Sequence, residues 1–334
     1  MPKSRTALLA GLRDQIHACL GDLVPAEAPL AILDFPDYRN VGDSAIWLGE
    51  MAYLRDHHGK PPAYVSRIDD FSVRELDRVM PEGPIFLQGG GNFGDLWIAH
   101  QDFRERVLEQ CPNRQVIQFP QSIHYKSPAR AEVTARIIGR HRHFVLLVRD
   151  EASQHFAERH FDCEVRLCPD VACYLGALEP DPARFPVLAM LRNDQEKMAG
   201  RADRSAWTEV PIEDWITEPR MPVRVAKLRG AASALLAFEP GRRRLRMLDA
   251  AARQRVRRGV RQLSRGRAIV TDRLHVHIVS LLLGRPHAVL DNSYGKVRNS
   301  MSAFTGGTGL SYLATSLDDG IAWAREQANQ RAGA

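Results

Sequence analysis

The chain holds 334 residues with a formal net charge of +6, and 44% of the residues are hydrophobic. This length predicts two domains of about 100–200 residues each, and the apolar content excludes an intrinsically disordered chain. No run approaches the roughly 18 apolar residues of a membrane span, and residues 1–33 lack the apolar core of a signal peptide, so we expect a cytoplasmic protein.

The cysteines number five, and none of them belongs to a CxxC pair. Structural zinc sites need closely paired ligands, so this spacing predicts reduced thiols and no metal site. The cysteines are Cys19, Cys111, Cys163, Cys168 and Cys173.

Short apolar runs alternate with helix-like stretches in the first half of the chain. Because the runs are continuously apolar, they predict parallel strands buried on both faces by helices. We predict strands at residues 29–33, 84–87, 115–119 and 144–148, and a helix at residues 45–55.

Two similar polar motifs follow strands of this half: Asn40-Val41-Gly42-Asp43 and Asn92-Phe93-Gly94-Asp95. Both precede a predicted helix, so we predict that a strand–NxGD–helix unit occurs twice. Ligands of open α/β sheets bind at the carboxyl ends of strands, which makes both motifs candidate ligand loops. Asp43 fits either a helix N-cap or a general base acting on a hydroxyl group, and the sequence does not separate these roles.

A glycine-rich run, Gln88 to Asp95, contains Gly89, Gly91 and Gly94 at the spacing of a dinucleotide fingerprint. That fingerprint also requires an acid at the end of the next strand, and Phe119-Pro120-Gln121 supplies none. A nicotinamide cofactor is therefore disfavoured. The glycines serve either tight strand–helix packing or the close approach of a ligand to Gly90, Gly91 and Asn92.

The second half repeats the alternation after a linker at residues 176–182. We predict strands at 187–191, 268–270 and 287–290, a helix at 274–283, and a mobile loop with a long basic helix somewhere in 193–267. Two open α/β domains facing one cleft are the expected architecture.

The segment Thr271-Asp272-Arg273-Leu274-His275 follows one of these strands, and we expect Thr271 or Asp272 to cap the helix. Arg273 and His275 would then lie in the first turn, where backbone N–H groups favour an anion and an arginine can bind phosphate or carboxylate. His275 can also transfer a proton near neutral pH. We expect His277, two residues further on, to be a packing residue.

Two more cations follow predicted strands of this half. Arg192 would face the same cleft as Arg273, although a surface salt bridge to Asp194 or Glu196 is the alternative. Lys296 would add a further positive charge, with a solvated turn as its alternative.

Eleven arginines and a single acid, Asp249, occur between residues 242 and 267. Such a run fits nucleic acid, an anionic membrane surface or an acidic substrate, and a solvated helix face is the alternative. The segment has no interleaved aromatic residues, which argues against a platform for single-stranded nucleic acid.

The motifs together resemble the polysaccharide pyruvyl transferase family over roughly residues 30–296. The resemblance rests on the order of Asn40-x-Gly42-Asp43, Gln88-Gly89-Gly90-Gly91-Asn92-x-Gly94-Asp95, Pro120-Gln121-Ser122, Arg149-Asp150, Pro169-Asp170, Leu191-Arg192-x-Asp194-x-Glu196, Thr271-Asp272-Arg273-Leu274-His275 and Asn292-Ser293-Tyr294-Gly295-Lys296.

This resemblance implies two Rossmann-like domains in a glycosyltransferase-B-like arrangement, residues 1–178 on the acceptor side and 179–334 on the donor side. It implies phosphoenolpyruvate as donor, no metal or other cofactor, and a pyruvate ketal formed on two hydroxyls of an exopolysaccharide or cell-wall polysaccharide precursor. His275 would be the general acid, with Arg273, Leu274 and Arg192 as donor ligands.

The glycine-rich loops with Asn40, Gly42, Gly90, Gly91 and Asn92 would face the acceptor sugar, and Asp43 or Asp95 would deprotonate it. Some relatives act on lipid-linked units, which implies peripheral contact of residues 242–267 with the inner face of an anionic membrane. The alternatives are a nucleotide-sugar glycosyltransferase and, in another class, a nucleic-acid-binding protein. Nucleic-acid binding would leave the glycine-rich loops and Arg273–His275 unexplained, so we expect no nucleic acid partner.

Overall fold

The computed structural model describes residues 4–26, 28–192, 209–291 and 296–331, with the backbone alone at positions 240 and 296. Its first sheet is seven-stranded and fully parallel, ordered β2-β1-β3-β5-β6-β7 with β4 paired to β5. The strands are β1 (Ala31–Leu33), β2 (Tyr64–Val65), β3 (Ile85–Leu87), β4 (Gly90–Gly94), β5 (Val116–His124), β6 (Phe144–Val148) and β7 (Glu164–Leu167).

The second sheet is five-stranded and parallel, ordered β12-β11-β10-β8-β9. Its strands are β8 (Phe185–Met190), β9 (Ile212–Glu213), β10 (Gly266–Thr271), β11 (His287–Leu290) and β12 (Ser311–Ala314). The helices around both sheets are α1 (Arg5–Leu20), α2 (Val41–His57), α3 (Val73–Val79), α4 (Ile98–Gln110), α5 (Pro128–Ile138), α6 (Glu151–His160), α7 (Arg220–Leu236), α8 (Arg243–Ser264), α9 (Leu274–Leu283), α10 (Lys296–Ser300) and α11 (Leu317–Gln330).

Both sheets are buried on their two faces, as the continuous apolar strands predict. In β1, Ile32 enters one hydrophobic cluster while Ala31 and Leu33 enter another. In β8, Leu188 and Val187 likewise enter different clusters. Period-two alternation sends neighbouring side chains to opposite faces, so a strand covered on both faces must be apolar throughout. The predicted two-sheet, Rossmann-like α/β fold is confirmed.

The two sheets share one topology. Setting β4 aside, each sheet places its second strand in chain order at one edge, then the first, then the third and later ones. In this doubly wound order the connections diverge between the first and third strands, which opens a crevice at their carboxyl ends. These crevices lie after β1 and β3 in the first sheet, and after β8 and β10 in the second.

Several local predictions need correction. The helix predicted at 45–55 starts earlier, at Val41, because Asn40 accepts the Gly42 N–H and caps it. The repeated strand–NxGD–helix unit is wrong, since Asn92, Phe93 and Gly94 are part of strand β4. Residues 193–208 of the basic region lie outside the described ranges, and the rest of that region forms β9, α7 and α8. The domain boundary at 178/179 stays a prediction and falls between the two sheets.

The arginine-rich helix α8 joins the two halves. It packs on α2, where a Cβ built on Gly259 would lie 2.4 Å from Cγ1 of Val41. Arg255 donates to the carboxylate of Asp37, and Lys227 of α7 bonds the same carboxylate at 2.6 Å. Burial opposes ionisation of Asp37, but Lys227 and Arg255 hold its pKa below the usual value. Part of the basic segment therefore has a structural role.

A buried chain of neutral side chains stabilises the second sheet. His277 Nδ1 and His287 Nε2 are 2.7 Å apart, His277 Nε2 lies 2.8 Å from Oγ1 of Thr305, and His287 Nδ1 bonds the Arg285 carbonyl. The expectation that His277 is a packing residue is confirmed. Burial lowers the pKa of His287 to about 4, and burial together with His287 lowers the pKa of His277.

These shifts predict an acid-sensitive fold. A histidine whose folded pKa is about 4 and whose unfolded pKa is about 6.5 contributes stability above pH 6.5 that is lost as the pH falls toward 4. We expect His287 alone to account for about 2 kcal/mol of lost unfolding free energy between pH 7 and pH 5.

Urea unfolding at both pH values measures this loss. His287→Gln, which cannot be protonated, should flatten the pH dependence, whereas His155→Gln on the exposed surface of α6 should not. An unchanged pH dependence in His287→Gln would contradict the assignment.

Candidate active site

The crevices of the two sheets meet in one cleft of about 500 Å³. Each half supplies polar residues from loops at the carboxyl ends of its strands, together with aromatic and aliphatic walls. The lining residues are Tyr38, Arg39, Asn40, Asp43, Gly91, Asn92, Trp97, His100, Arg149, Arg192, Trp215, Ile216, Arg273, Leu274, His275 and Val297.

His275 crosses from the second half to touch the first. It is the second residue of α9, directly after the loop that ends β10. A Cβ built on Gly42 would lie 2.4 Å from Nδ1 of His275, so the imidazole occupies the space that any side chain at position 42 would fill. The glycine of the Asn40–Asp43 motif is therefore required by the approach of His275 to α2.

The Nε2 edge of this imidazole contacts a buried ion pair. His275 Nε2 lies 3.3 Å from Oδ2 of Asp170, and Arg149 Nη1 donates to the same oxygen at 2.5 Å. Arg149 Nη1 is also 3.4 Å from His275 Nε2. Burial disfavours the charge on Asp170, but His275 and Arg149 outweigh it and hold the pKa of Asp170 well below the usual value. We refer to Arg149, Asp170 and His275 as the ionic triad.

The guanidinium of Arg149 is fixed by further polar contacts. Its Nε donates to the hydroxyl of Ser122 at 3.0 Å, and that hydroxyl donates to Asp150 at 2.7 Å. Asp150 in turn caps α6 through the Ser153 N–H. A side chain held by such a network is preorganised to bind an anion without first losing its own freedom.

Arg273 and Arg192 line the cleft from the second half, as the sequence predicts. Arg273 Nη2 donates to Asp214 at 2.7 Å, and the guanidinium is buried. The expected cap of α9 is wrong, because Arg273 occupies the N-cap position without a side-chain cap. Thr271 instead accepts the Arg273 N–H, and Asp272 accepts the Arg192 N–H.

The first half contributes Asn40 and Asp43 at the start of α2. Asn40 Nδ2 donates to Oδ2 of Asp43 at 2.6 Å, so the cap is Asn40 and Asp43 lies in the first helical turn. Tyr38 lies nearby, and its partial burial together with the Asp43 carboxylate raises the pKa of its hydroxyl. Asp43 thus faces the cleft with two polar neighbours, which fits a group that contacts a hydroxylated ligand.

The glycine-rich run places some of its predicted residues in the cleft and others elsewhere. Gly91 and Asn92 line it, and the Asn92 side chain accepts from Arg104 and Gln121. Gly90 has a φ of 147° and is not among the residues that line the cleft. Among the described residues, Asp95 is not part of the lining, because its carboxylate accepts backbone N–H groups at the start of α5.

A second histidine–carboxylate pair was not anticipated from the sequence. His100, in α4, lines the cleft, and its Nδ1 is 2.9 Å from Oδ2 of Asp34. Asp34 directly follows β1 and has a φ of 69°, a left-handed conformation that costs free energy in a residue other than glycine. This backbone conformation accompanies the contact between the carboxylate and the imidazole. Asp34 could have been found from its strand-end position, but no local pattern marks His100.

The remaining predicted residues divide between the cleft and the undescribed parts. Leu274 lines the cleft beside His275. The side chain of Lys296 lies outside the described residues, as do Asp194 and Glu196. Across the described ranges, no cluster of three His, Cys, Asp or Glu side chains is arranged to hold a metal ion, and no helix has the length and hydropathy to cross a bilayer.

Comparison with known proteins gives one family match and several similar chains. A family model described as polysaccharide pyruvyl transferase matches residues 40–294. Pyruvyl transferase 1 of Schizosaccharomyces pombe is 31% identical over 309 residues, 87% of this chain and 74% of its own length. EpsO of Bacillus subtilis, which carries the name of a pyruvyl transferase, is 30% identical over 302 residues, 87% of this chain and 89% of its own. An uncharacterized Klebsiella pneumoniae protein of known structure shares the fold, with a TM-score of 0.59 at 17% identity over 91% of this chain and 99% of that one.

The contact between Gly42 and His275 gives a direct test of the site. Gly42→Ala should suit helix α2, where alanine is favoured by about 1 kcal/mol, yet its methyl group must displace the imidazole. A displacement of about 1 Å at a catalytic group can cost on the order of 10²-fold in rate. We expect a folded variant with a shifted His275 NMR resonance and a catalytic rate lower by about that factor.

Gly11→Ala is the matched control. No atom lies within 4 Å of a Cβ at Gly11 in α1, so this change should raise the unfolding free energy without altering the rate. If Gly42→Ala likewise leaves the catalytic rate unchanged, the contact between Gly42 and His275 is not needed for catalysis.

Proposed function

The chain belongs to the polysaccharide pyruvyl transferase family, and we propose that it transfers the pyruvyl group of phosphoenolpyruvate to two hydroxyls of a sugar in a polysaccharide precursor. The product is a pyruvate ketal, and phosphate is released. The observation that carries the proposal is the meeting of His275 with Arg149, Arg192 and Arg273 in one cleft. Exopolysaccharide and cell-wall precursors, lipid-linked ones included, are the proposed acceptors.

The donor is a small anion with a phosphate and a carboxylate. Arg149, Arg192 and Arg273 line the cleft around the N-terminus of α9, whose first residues Leu274 and His275 also face it. Guanidinium forks bind phosphate and carboxylate through paired charge-assisted hydrogen bonds, and a helix N-terminus favours negative charge. Arg149 and Arg273 each form an ion pair with a buried carboxylate, so both guanidinium groups are held in place before the donor binds.

His275 is the proposed general acid. It protonates the methylene carbon of phosphoenolpyruvate, which leaves an oxocarbenium-like centre at the adjacent carbon. One acceptor hydroxyl attacks that centre and loses its proton. The C–O bond to phosphate then breaks, and a second hydroxyl attacks the same carbon, loses its proton and closes the ring. The ionised Asp170 stabilises the positive charge that His275 needs before it donates.

The acceptor hydroxyl requires a base on the other side of the cleft. His100 meets this need, since Asp34 holds its Nδ1 and Nε2 is then the nitrogen that can accept a proton. Asp43 contributes either as a hydrogen-bond acceptor for the sugar or as a second base. Asp95, which binds backbone N–H groups of Lys126 and Ser127, fits a structural role better than the catalytic role expected from sequence.

We extend the proposal to the arrangement of the domains. Two doubly wound units whose strand ends face one cleft suit a glycosyltransferase-B-like enzyme, with the acceptor mainly on residues 1–178 and the donor mainly on 179–334. Arg149 reaches the donor from the first unit. Membership in the family does not favour the alternative of nucleotide-sugar glycosyl transfer. No cofactor other than the donor is proposed.

Donor binding can be measured by thermal unfolding. A ligand at 100 times its Kd stabilises a protein by about 2.7 kcal/mol, so phosphoenolpyruvate should raise the melting temperature. Arg273→Lys keeps the charge opposite Asp214 but loses the planar fork, and we expect it to lose most of the shift. Arg257→Lys, on the exposed face of α8, should retain it. A shift produced by a nucleotide sugar and not by phosphoenolpyruvate would refute the donor assignment.

Turnover measurements test the proposed roles of His275 and His100 separately. General acid or base catalysis is worth about 10²–10⁴-fold, so His275→Gln and His100→Gln should each lose turnover in that range and remain folded. His100→Gln should still be stabilised by phosphoenolpyruvate, since the proposed donor ligands are intact. The rate of phosphate release measures the turnover of both variants, and His155→Gln is the surface control. Near-normal turnover of His275→Gln would exclude it as the acid, and the same result for His100→Gln would exclude it as the base.

A further inference from the structure

Helix α7 exposes an apolar face that the proposed chemistry does not use. Met221, Leu228 and Leu236 are 65%, 70% and 81% exposed, and Phe238, just beyond the helix, is 94% exposed. With Val225, Ala232 and Leu235, these residues recur at intervals of three or four. That spacing places them on one side of a helix.

The opposite side of α7 is the side that packs. Val223, Gly230, Ala231 and Ala234 are buried, and a Cβ on Gly230 would lie 2.4 Å from the backbone oxygen of Arg246 in α8. The helix is therefore already anchored to the fold by one face. The exposed apolar residues are a second face, which folding does not require.

Arginines flank this exposed face. At 100° per residue, Arg224 falls on one side of the apolar stripe and Arg229 on the other, and both are exposed. Residues 220–264, which comprise α7, α8 and the turn between them, hold thirteen Lys and Arg residues against two acids. Both acids are engaged, since Glu239 pairs with Arg242 and Arg246, and Asp249 accepts the indole N–H of Trp47. Lys227 and Arg255 bind the Asp37 carboxylate, but the exposed Arg224 and Arg229 keep both borders of the stripe positive.

Phe238 extends the stripe into the turn between α7 and α8. Its φ of 54° is left-handed, a conformation that is unfavourable for a bulky aromatic residue. The ring of Phe238 lies in the turn between α7 and α8 and is exposed to solvent. A large exposed aromatic beside exposed Arg242 and Arg243 suits insertion below anionic headgroups.

We propose that the exposed face of α7, with Phe238 at its end, docks this protein on an anionic lipid bilayer. An apolar stripe bordered by arginines is the pattern of a helix that lies in a membrane interface. A second copy of the chain would bring an equally positive surface against this one, so charge complementarity favours the bilayer. The docking face lies mainly on α7 and includes only Arg242 and Arg243 of the 242–267 segment expected from sequence, while Arg255 and Arg258 of that segment bind the interior of the fold.

Docking by this face would bring the cleft close to the bilayer. Cleft residues Trp215 and Ile216 are separated from the start of α7 by three residues. Lys227 of α7 bonds Asp37, the neighbour of the lining residue Tyr38. Both halves of the cleft are therefore linked directly to the docking helix. This consequence rests on the proposed function, whereas the docking itself does not.

Co-sedimentation with vesicles tests the proposal on the full chain. The probes are vesicles of phosphatidylglycerol mixed with phosphatidylcholine, and vesicles of phosphatidylcholine alone. We expect binding to the anionic vesicles, weakened but not abolished by raised salt. The triple variant Leu228→Ser, Leu236→Ser, Phe238→Ser leaves the charge unchanged and should bind at least about tenfold more weakly.

Val79→Ser with Ile98→Ser is the matched control, because it removes two partly exposed apolar side chains outside α7 and should bind as the wild type does. Thermal melts confirm that all variants fold. Equal binding of the triple variant, or no binding of the wild type at low salt, would overturn the proposal. So would a wild-type dimer, seen by light scattering, that the triple variant dissociates. Loss of pyruvyl transfer activity has no bearing on these results.

Discussion

The ionic triad of Arg149, Asp170 and His275 connects the two halves of the molecule at the position where the site forms. A buried carboxylate is costly unless charges and hydrogen bonds compensate it, and removing one partner from such a group leaves an uncompensated charge. Arg149 directly follows strand β6 of the first sheet, and His275 is the second residue of helix α9 in the second half. Arg149 and the Ala172 N–H compensate Asp170 from within the first half, and His275 adds a partner from the second. The contact that closes the halves on each other therefore adds to the compensation of Asp170 and also places the imidazole proposed as the general acid.

The rest of the interface serves the same geometry. Arg258 of α8 donates to the backbone carbonyls of Trp215 and Arg39, one from each wall of the cleft. Asp37, just before the lining residues, is held by cations from both α7 and α8. The cleft is thus bounded by loops whose backbones are fixed from behind. The space against His275 is kept open by glycine at position 42, because the helix start and the imidazole come too close for any side chain.

The parts of this structure that follow from local patterns could be predicted, and those that depend on distant contacts could not. Strands β6 and β11 and helix α9 are continuous apolar segments with clear ends, so their positions were found to within a residue or two. Arg273 and His275 were found because a strand end followed by a helix start is a local signal. His100 is not local, since its role depends on Asp34, 66 residues away.

The second NxGD motif shows the same limit. Its letters match those of the first, but β4 pairs with β5 and draws Asn92 into a strand, whereas Asn40 caps a helix. The backbone conformation of Asn92 depends on the pairing of β4 with β5, and the four residues of the motif do not specify that pairing. The arginines of α8 are similar, because the sequence gives their number while the fold decides which of them bind the interior. Exposure of the apolar face of α7 is likewise visible only after α8 has been placed on its other side.

The two histidine–carboxylate pairs suggest why a two-domain cleft suits ketal formation. The proposed reaction adds a proton to carbon and removes protons from two hydroxyls, so it needs an acid and a base that are in opposite protonation states at once. Two titrating groups close together would interact and share a proton, which would blur these roles. Here His275 is held by Asp170 beside the arginines, and His100 is held by Asp34 on the facing wall. Opposite walls allow each imidazole its own electrostatic environment, and the substrates between them connect the two proton transfers.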